Sequence, residues 1–313
     1  MQSLKSLIIG NSYLKFLMVI IVVIVLQHLF LYAKIYGVEK DEITKPKWQF
    51  TAYNFGGLEK LKPKEQIHLL NGKGYKGIIL RGATEENVQD LDVFILESRK
   101  IEDFNIQSVF IRYNFQDSEI DQNRWKTVVD KIAGSQTQLW VIFGKKAEGI
   151  NDDYIENKLH EIVQYSSQKD VEVILYPHSK CYIESAEEAL PFVEKIDSPN
   201  LNLAFHLYHE IRAGNGSRIP DVFEKIKENL GAVTMAGTDS IADFSKPKAM
   251  VKSTIKLIGQ GNFDMNNFIV PLSKSGYKGF VGFMDFKIEE KPELYLDSSI
   301  KEWEKLISMD LMN

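Results

Sequence analysis

Three of the chain's six histidines stand near the ends of two successive apolar segments. His178 ends the run VEVILYPH, while His206 and His209 lie in the next one, LNLAFHLYH. Imidazoles gathered in one place suit either the binding of a divalent metal ion or the transfer of protons. A packed, hydrogen-bonded core histidine is the plainer interpretation of each residue taken alone, and it stays open. The choice between these interpretations depends on the elements that carry the side chains.

Positively charged side chains stand at comparable places, near the ends of other apolar runs. Guanidinium groups bind carboxylate and phosphate through two parallel hydrogen bonds, so such positions predict the binding of an anionic or polyhydroxyl ligand. Charges that are simply solvated on loops are the alternative. The predicted substrate-binding cations are Arg81, Arg112, Lys145 and Arg212.

Short apolar runs alternate with amphipathic segments from Trp48 onward. The short runs are almost continuously apolar, as parallel strands buried on both faces must be. Eight such strands, each followed by a predicted helix, favour an α/β fold of the (β/α)8 TIM-barrel type. A doubly wound open sheet is the alternative, but no G-x-G-x-x-G phosphate loop follows the first strand. The predicted strands are 48–55, 75–82, 106–115, 137–146, 171–178, 201–209, 231–237 and 277–286.

In a barrel of this type, the chemistry sits at the carboxyl ends of the strands. The predicted strand ends hold the histidines and the cations named above, with Asp285 at the end of the eighth strand. Adjacent strand ends lie only about 5 Å apart, so side chains from neighbouring strands can meet there. We therefore expect the three histidines to share one cavity at the mouth of the barrel.

The first part of the chain has a different composition. Residues 16–26, FLMVIIVVIVL, carry no charge, Lys5 and Lys15 precede them, and the first acid is Glu39. This pattern predicts an N-terminal transmembrane or signal segment, and an uncleaved anchor is favoured because no clear cleavage site follows. The barrel would then be membrane-anchored outside the cytoplasm, or secreted if the leader is cleaved. The predicted organisation is a leader over 1–35, a polar tether over 36–47 and the barrel over 48–310.

The overall charge and the cysteine content exclude some classes of protein. The formal net charge is −5, which argues against a nucleic-acid partner because such proteins present basic surfaces. Cys181 is the only cysteine, so the chain holds no internal disulfide bond.

Two longer stretches resemble a known family. The segment LYPHSKCYIESAEEALPFVEKIDSPNLNLAFHLYHE, residues 175–210, has a Tyr-Pro-His at the end of a strand, a helix with an EEA turn, and Pro-Asn before the next strand. The segment LIGQGNFDMNNFIVPLSKSGYKGFVGF, residues 257–283, has a Gly-Phe-Asp-like turn, a helix and Gly-Tyr-x-Gly before the last strand. Both resemble the xylose isomerase-like barrels of the sugar phosphate isomerase/epimerase superfamily.

The resemblance implies an enzyme that moves a proton next to a sugar carbonyl, with a divalent metal ion such as Mn, Mg or Zn. It implies that His206 and His178 are metal ligands, that His209 contacts the substrate, and that His178 or Asp285 is the catalytic base. The sequence departs from the family because Tyr176 stands where a Glu ligand is usual, and the seventh strand has no histidine. These departures make metal binding doubtful, since hard divalent ions favour carboxylate ligands.

Three functions remain open on the sequence alone. The first is an isomerase or epimerase acting on a small carbohydrate or sugar phosphate, with an altered ligand set that works with or without a metal ion. The second is a non-catalytic barrel that binds a carbohydrate or an anion at the cell surface. The third is a glycoside hydrolase or lyase, although glycosidases usually need two acids at strand ends. Besides Asp285, only Glu210 and Asp239 are candidates for such acids.

Overall fold

Residues 48–240 and 255–308, with the single position Gln27, are described by a computed structural model of the chain. Eight parallel strands form a closed barrel in sequence order, as the alternation of segments predicts. The first strand closes the barrel by pairing with the last, with Phe50 opposite Val281. The strands are β1 Phe50–Tyr53, β2 Gly77–Arg81, β3 Asn105–Tyr113, β4 Gln138–Phe143, β5 Val173–Leu175, β6 Leu201–His206, β7 Leu230–Met235 and β8 Val281–Phe283.

Helices connect the strands and cover the outside of the barrel. Two short 3₁₀ helices, Leu58–Lys60 and Lys227–Asn229, accompany them. The α-helices of the described residues are α1 Pro63–Gly72, α2 Glu85–Ser98, α3 Glu119–Gln122, α4 Arg124–Ile132, α5 Asp152–Ser167, α6 Ala186–Ile196, α7 Leu207–Arg212, α8 Ile219–Ile226, α9 Asn266–Lys274 and α10 Pro292–Ser308.

A layer of aromatic rings fills the barrel below its mouth. The ring of Trp140 lies edge-on to Tyr53 and to Tyr176, with centroids 6.2 and 5.3 Å away, and it is stacked with Phe280 at 6.1 Å. All four side chains are buried, which makes the interior a packed core and not a pore. The mouth of the barrel therefore has a solid floor, and any ligand must bind above it.

The sixth strand ends earlier than the sequence predicts. It stops at His206, and the chain turns at once into the short helix α7, which carries His209. The Nδ1 atom of His206 accepts a hydrogen bond from the backbone N–H of Tyr208 and so caps this helix. An aromatic side chain thus does what Ser or Asp usually does at a helix start, and sequence rules based on those residues miss it.

The predicted leader and tether lie outside the described residues, except for Gln27, and they stay predictions. Among the residues that the structure does describe, no helix is both long and apolar enough to cross a bilayer.

The last helix holds the first strand in place through a stacked ring pair. The ring of Trp303 lies 4.5 Å from that of Phe50, at an interplanar angle of 8°, and only 2% of Trp303 is exposed. We expect Trp303→Ala to lower the free energy of unfolding by about 3–5 kcal/mol, because it opens a cavity between α10 and β1.

Urea unfolding monitored by circular dichroism measures this loss. Leu294→Ala, in the same helix but 62% exposed, is the matched control and should change the free energy by about 0.5 kcal/mol or less. Similar losses in the two variants would contradict the assignment of Trp303 to the core.

Candidate functional site

A cavity of about 580 Å³ opens at the carboxyl ends of the strands. Aromatic rings and guanidinium groups both line it, a combination that suits a small ligand with apolar C–H faces and negative charge. The aromatic residues include Tyr53, Phe110, Tyr176, Tyr208 and Phe286. The cationic residues include Arg81, Arg112, Arg124, Lys180 and Arg212.

The three predicted histidines lie together in this cavity. The ring centroid of His209 is 4.1 Å from that of His178 and 4.3 Å from that of His206. His206 and His209 are buried, whereas His178 is half-buried. The structure thus brings the three imidazoles into contact, although their individual roles in chemistry stay predictions.

Hydrogen bonds assign the tautomer of His178. Its Nδ1 lies 2.9 Å from the carbonyl oxygen of Ser179, which can only accept, so Nδ1 carries the proton. The lone pair is then on Nε2, which lies 3.3 Å from Nη2 of Arg112, a group that can only donate. His178 therefore presents an unprotonated nitrogen to the cavity, next to a permanent positive charge.

His206 and His209 have the opposite tautomer. Nδ1 of His206 accepts from the backbone N–H of Tyr208 at 3.2 Å, and Nδ1 of His209 accepts from that of Ser179 at 3.3 Å. The hydroxyl of Ser179 lies 2.9 Å from the same nitrogen of His209. Each ring must therefore carry its proton on Nε2, and neither Nε2 has a hydrogen-bond partner among the described residues.

All three imidazoles are neutral near pH 7. Burial lowers the pKa of His178 to about 4, helped by the charge of Arg112. Burial, with a smaller contribution from His178, lowers the pKa of His206 to about 3. The pKa of His209 also falls well below its ordinary value, first because of burial and then because of the two neighbouring imidazoles. The cluster consequently offers one basic nitrogen and two N–H donors.

This set of atoms does not fit the predicted divalent metal ion. A metal ligand must present a lone pair, but the lone pairs of His206 and His209 accept from backbone N–H groups, and that of His178 faces Arg112. Among the described residues, no group of three or more His, Cys, Asp or Glu side chains could hold a metal ion. The predicted ligand roles of His206 and His178 are therefore not supported by the donor geometry.

Asp285, a predicted catalytic residue, does not line the cavity. Its neighbours Met284 and Phe286 do, and Asp285 points the other way, as alternation along an extended chain requires. Its carboxyl accepts a 2.6 Å hydrogen bond from the hydroxyl of Tyr295, and burial raises its pKa well above the usual range. Asp285 thus holds the loop after β1 against α10, because the same hydroxyl also bonds to the carbonyl of Phe55.

Three other predicted positions also lie away from the cavity. Lys145 is exposed and does not line the cavity, because the chain bends after Gly144 at the end of β4. Asp239 forms an ion pair with Lys256 at 2.7 Å. Glu210 faces the start of α6, where it accepts from the N–H of Ala186, and burial raises its pKa to about 7. Arg81, Arg112 and Arg212 do line the cavity, as the sequence predicts.

Sequence reasoning missed several residues of the site. Ser179 follows His178 directly, and its backbone N–H and hydroxyl set the tautomer of His209. Tyr208 accepts a 2.9 Å hydrogen bond from the guanidinium of Arg212. Arg124 reaches the cavity from the first residue of α4. Of these residues, only Ser179 had a sequence signal that it belongs to the site, because it lies in the Tyr-Pro-His-Ser segment at the end of a strand.

Comparison with known proteins assigns the chain to a family. A family model described as a xylose isomerase-like TIM barrel matches residues 128–306, more than half of the chain. No curated protein sequence matches the chain.

Three solved structures show the likeness of fold. A xylose isomerase domain protein from Salmonella typhimurium superposes with a TM-score of 0.68 at 13% identity, over 85% of this chain and 99% of that one. The 3-keto-D-glucoside 4-epimerase of E. coli gives 0.63 at 13% identity, over 82% and 100%. The IOLI protein, solved with a bound zinc atom, gives 0.63 at 17% identity, over 84% and 97%.

The neutral state of His206 predicts a specific dependence of stability on pH. Between its folded pKa of about 3 and its ordinary value of 6.5, the unfolded chain binds a proton that the folded chain excludes. The free energy of unfolding therefore falls as pH falls through this window, by about 1.4 kcal/mol per unit from this residue. His206→Gln removes the contribution, so the variant should gain stability relative to the parent between pH 6.5 and 4.5.

Urea unfolding at several pH values measures the difference between variant and parent. The exposed residue His160, changed to Gln, is the matched control and should follow the parent. A constant difference between His206→Gln and the parent across this window would contradict the neutral, buried state.

Proposed function

Because the chain belongs to the xylose isomerase-like TIM barrel family, we propose that it binds a small anionic carbohydrate at the barrel mouth and moves a proton next to its carbonyl. The ligand class is a sugar phosphate or a sugar acid, and the reaction class is isomerisation or epimerisation. The observation that carries the proposal is the basic Nε2 of His178 beside Arg112, in the same cavity as two imidazole N–H donors.

The charged lining supports the choice of an anionic ligand. Arg81, Arg112 and Arg212 come from three different strand ends or the segments after them and face one cavity. Guanidinium groups at the mouth of a cavity bind phosphate or carboxylate with both charge and geometry. The aromatic rings beside them offer flat apolar surfaces to the C–H faces of a sugar ring.

The proposed proton transfer uses His178 as the base. Its Nε2 takes the proton from the carbon beside the carbonyl, the C–H electrons form the C=C bond of an enediolate, and negative charge moves to the carbonyl oxygen. The guanidinium of Arg112, 3.3 Å from Nε2, releases that nitrogen as it binds the anionic group of the ligand. For isomerisation, the proton of the neighbouring hydroxyl moves to the former carbonyl oxygen and His178 returns its proton to the former carbonyl carbon. For epimerisation, a proton from solvent reaches the original carbon from the opposite face, the carbonyl re-forms in place, and His178 releases its proton to solvent.

A second candidate function is a barrel that binds the sugar without turning it over. The acids of the cavity favour this function. Among the described residues, Asp117 and Asp121 line the cavity, and both carboxylates already have polar partners. Asp117 accepts from Asn114 at 2.9 Å, and Asp121 forms an ion pair with Arg124. No two-carboxylate proton shuttle can be built from them, and the same fact disfavours the glycoside hydrolase.

Arg112 provides the first test of binding. We expect Arg112→Ala to weaken binding of fructose 6-phosphate by about 10- to 100-fold, the size expected for a charged hydrogen bond. Isothermal titration calorimetry measures the change, with uncharged fructose as the ligand control. Lys145→Ala removes an equal charge away from the cavity and should leave the affinity unchanged. Equal affinity for fructose and its phosphate would contradict an anionic ligand.

His178 provides the test of chemistry. The parent protein, incubated with ketose and aldose phosphates of five and six carbons in ²H₂O, should introduce deuterium at the carbon next to the carbonyl. His178→Gln should lower this exchange by about 100-fold or more, within the range that a general base supplies, whereas His160→Gln should leave it intact. Tight binding without exchange in the parent would favour the non-catalytic barrel.

A further inference from the structure

We infer that the Nε2–H groups of His206 and His209 form a paired donor site for one oxygen atom of the ligand, and that this pair takes the place of a metal ion as the electrophile. The inference rests on the proposed function and deepens it, because it assigns the group that polarises the sugar carbonyl. The two rings lie 4.3 Å apart at their centroids and line the same cavity.

Backbone groups make this assignment firm. A peptide N–H can donate but never accept, so the nitrogen that it faces must carry the lone pair. Tyr208 supplies this N–H to His206, and Ser179 supplies it to His209. Neither ring can switch tautomer without breaking a bond to the main chain. The protons on Nε2 are therefore fixed by the fold before any ligand arrives.

Binding an oxygen atom would also be energetically favourable for the two donors. Both Nε2 atoms are buried and have no partner among the described residues, and a buried donor without a partner costs about 1–3 kcal/mol. Tyr176 stacks on the ring of His206, with centroids 5.9 Å apart and an interplanar angle of 3°, which limits rotation of the imidazole. A ligand oxygen between the two donors would recover this cost.

The chemistry of such a pair matches the proposed reaction. Preorganised N–H donors stabilise negative charge that develops on a carbonyl oxygen, and they act most strongly in a site shielded from water. Because the imidazoles are neutral, they donate hydrogen bonds to the ligand oxygen without placing a full positive charge beside it. The ring of His178, with Arg112 3.3 Å from its Nε2, lies 4.1 Å from that of His209 between their centroids.

The tautomers can be read directly by nitrogen NMR. The full-length protein labelled with [¹⁵N]histidine is examined at pH 7 by long-range ¹H–¹⁵N correlation, with His206→Gln and His209→Gln spectra assigning the signals. We expect protonated, pyrrole-type Nε2 and unprotonated Nδ1 in both residues. Addition of Mn²⁺ should not broaden these signals. An unprotonated Nε2 in either residue, or specific broadening by Mn²⁺, overturns the inference.

Binding of fructose 6-phosphate tests the contact with the ligand. The ligand should shift the Nε2–H protons of both residues in the parent. His209→Leu, which removes the donor, should weaken binding about tenfold, whereas His209→Gln keeps an N–H and should lose less than threefold. The intact fold of each variant is checked by circular dichroism.

The outcomes separate this inference from the function on which it rests. Binding of the phosphate with equal losses in His209→Leu and His209→Gln, or with unshifted Nε2–H protons, overturns the donor pair but leaves the binding function standing. Failure of the parent to bind every sugar phosphate of the set, and sugar acids of five and six carbons as well, overturns the proposed function, and with it the role of the pair. Binding with shifted protons and the graded losses supports both.

Discussion

The chemistry of the site depends on one constraint: a backbone N–H can only donate. Two such groups, from Ser179 and Tyr208, face the Nδ1 atoms of His209 and His206 and so force both Nε2 atoms to carry protons. Burial then keeps the rings neutral. His178 is then the imidazole of the cluster that presents a lone pair to the cavity, and the arginines, with Lys180, supply positive charge.

The constraint arises from where the strands end. β6 stops at His206, and the abrupt start of α7 brings the N–H of Tyr208 back to the imidazole that precedes it. β5 stops at Leu175, and the following loop is held by a hydrogen bond from His178 N–H to the carbonyl of Ile183. That loop presents the N–H of Ser179 to the neighbouring strand end. The TIM barrel thus places the loop after β5 next to the start of α7 at its mouth.

The sequence predicted the barrel and much of the site, but not its chemistry. All eight strands follow from the near-continuous apolar runs, and strand order alone brings His178, His206 and His209 together. Asp285 lies behind the cavity wall because successive side chains of an extended chain point to opposite sides, and Lys145 lies away from the cavity because the chain bends after Gly144. The tautomers could not be predicted, since they depend on hydrogen bonds at distances near 3 Å that no sequence pattern specifies.

Tyr176, at the position where the resemblance to the family implies a Glu ligand, fits the proposed donor pair. A carboxylate buried at that position would need a positive charge to offset its desolvation, and it would compete with His178 and the ligand for the guanidinium of Arg112. The Tyr176 hydroxyl instead accepts a 3.0 Å hydrogen bond from Tyr53, and burial raises its pKa, so it stays uncharged. A tyrosine at this position and the fixed tautomers are therefore consistent with each other. The cavity's own acids, Asp117 and Asp121, are already engaged, so the guanidinium groups and the imidazole N–H donors are left to meet negative charge on the ligand.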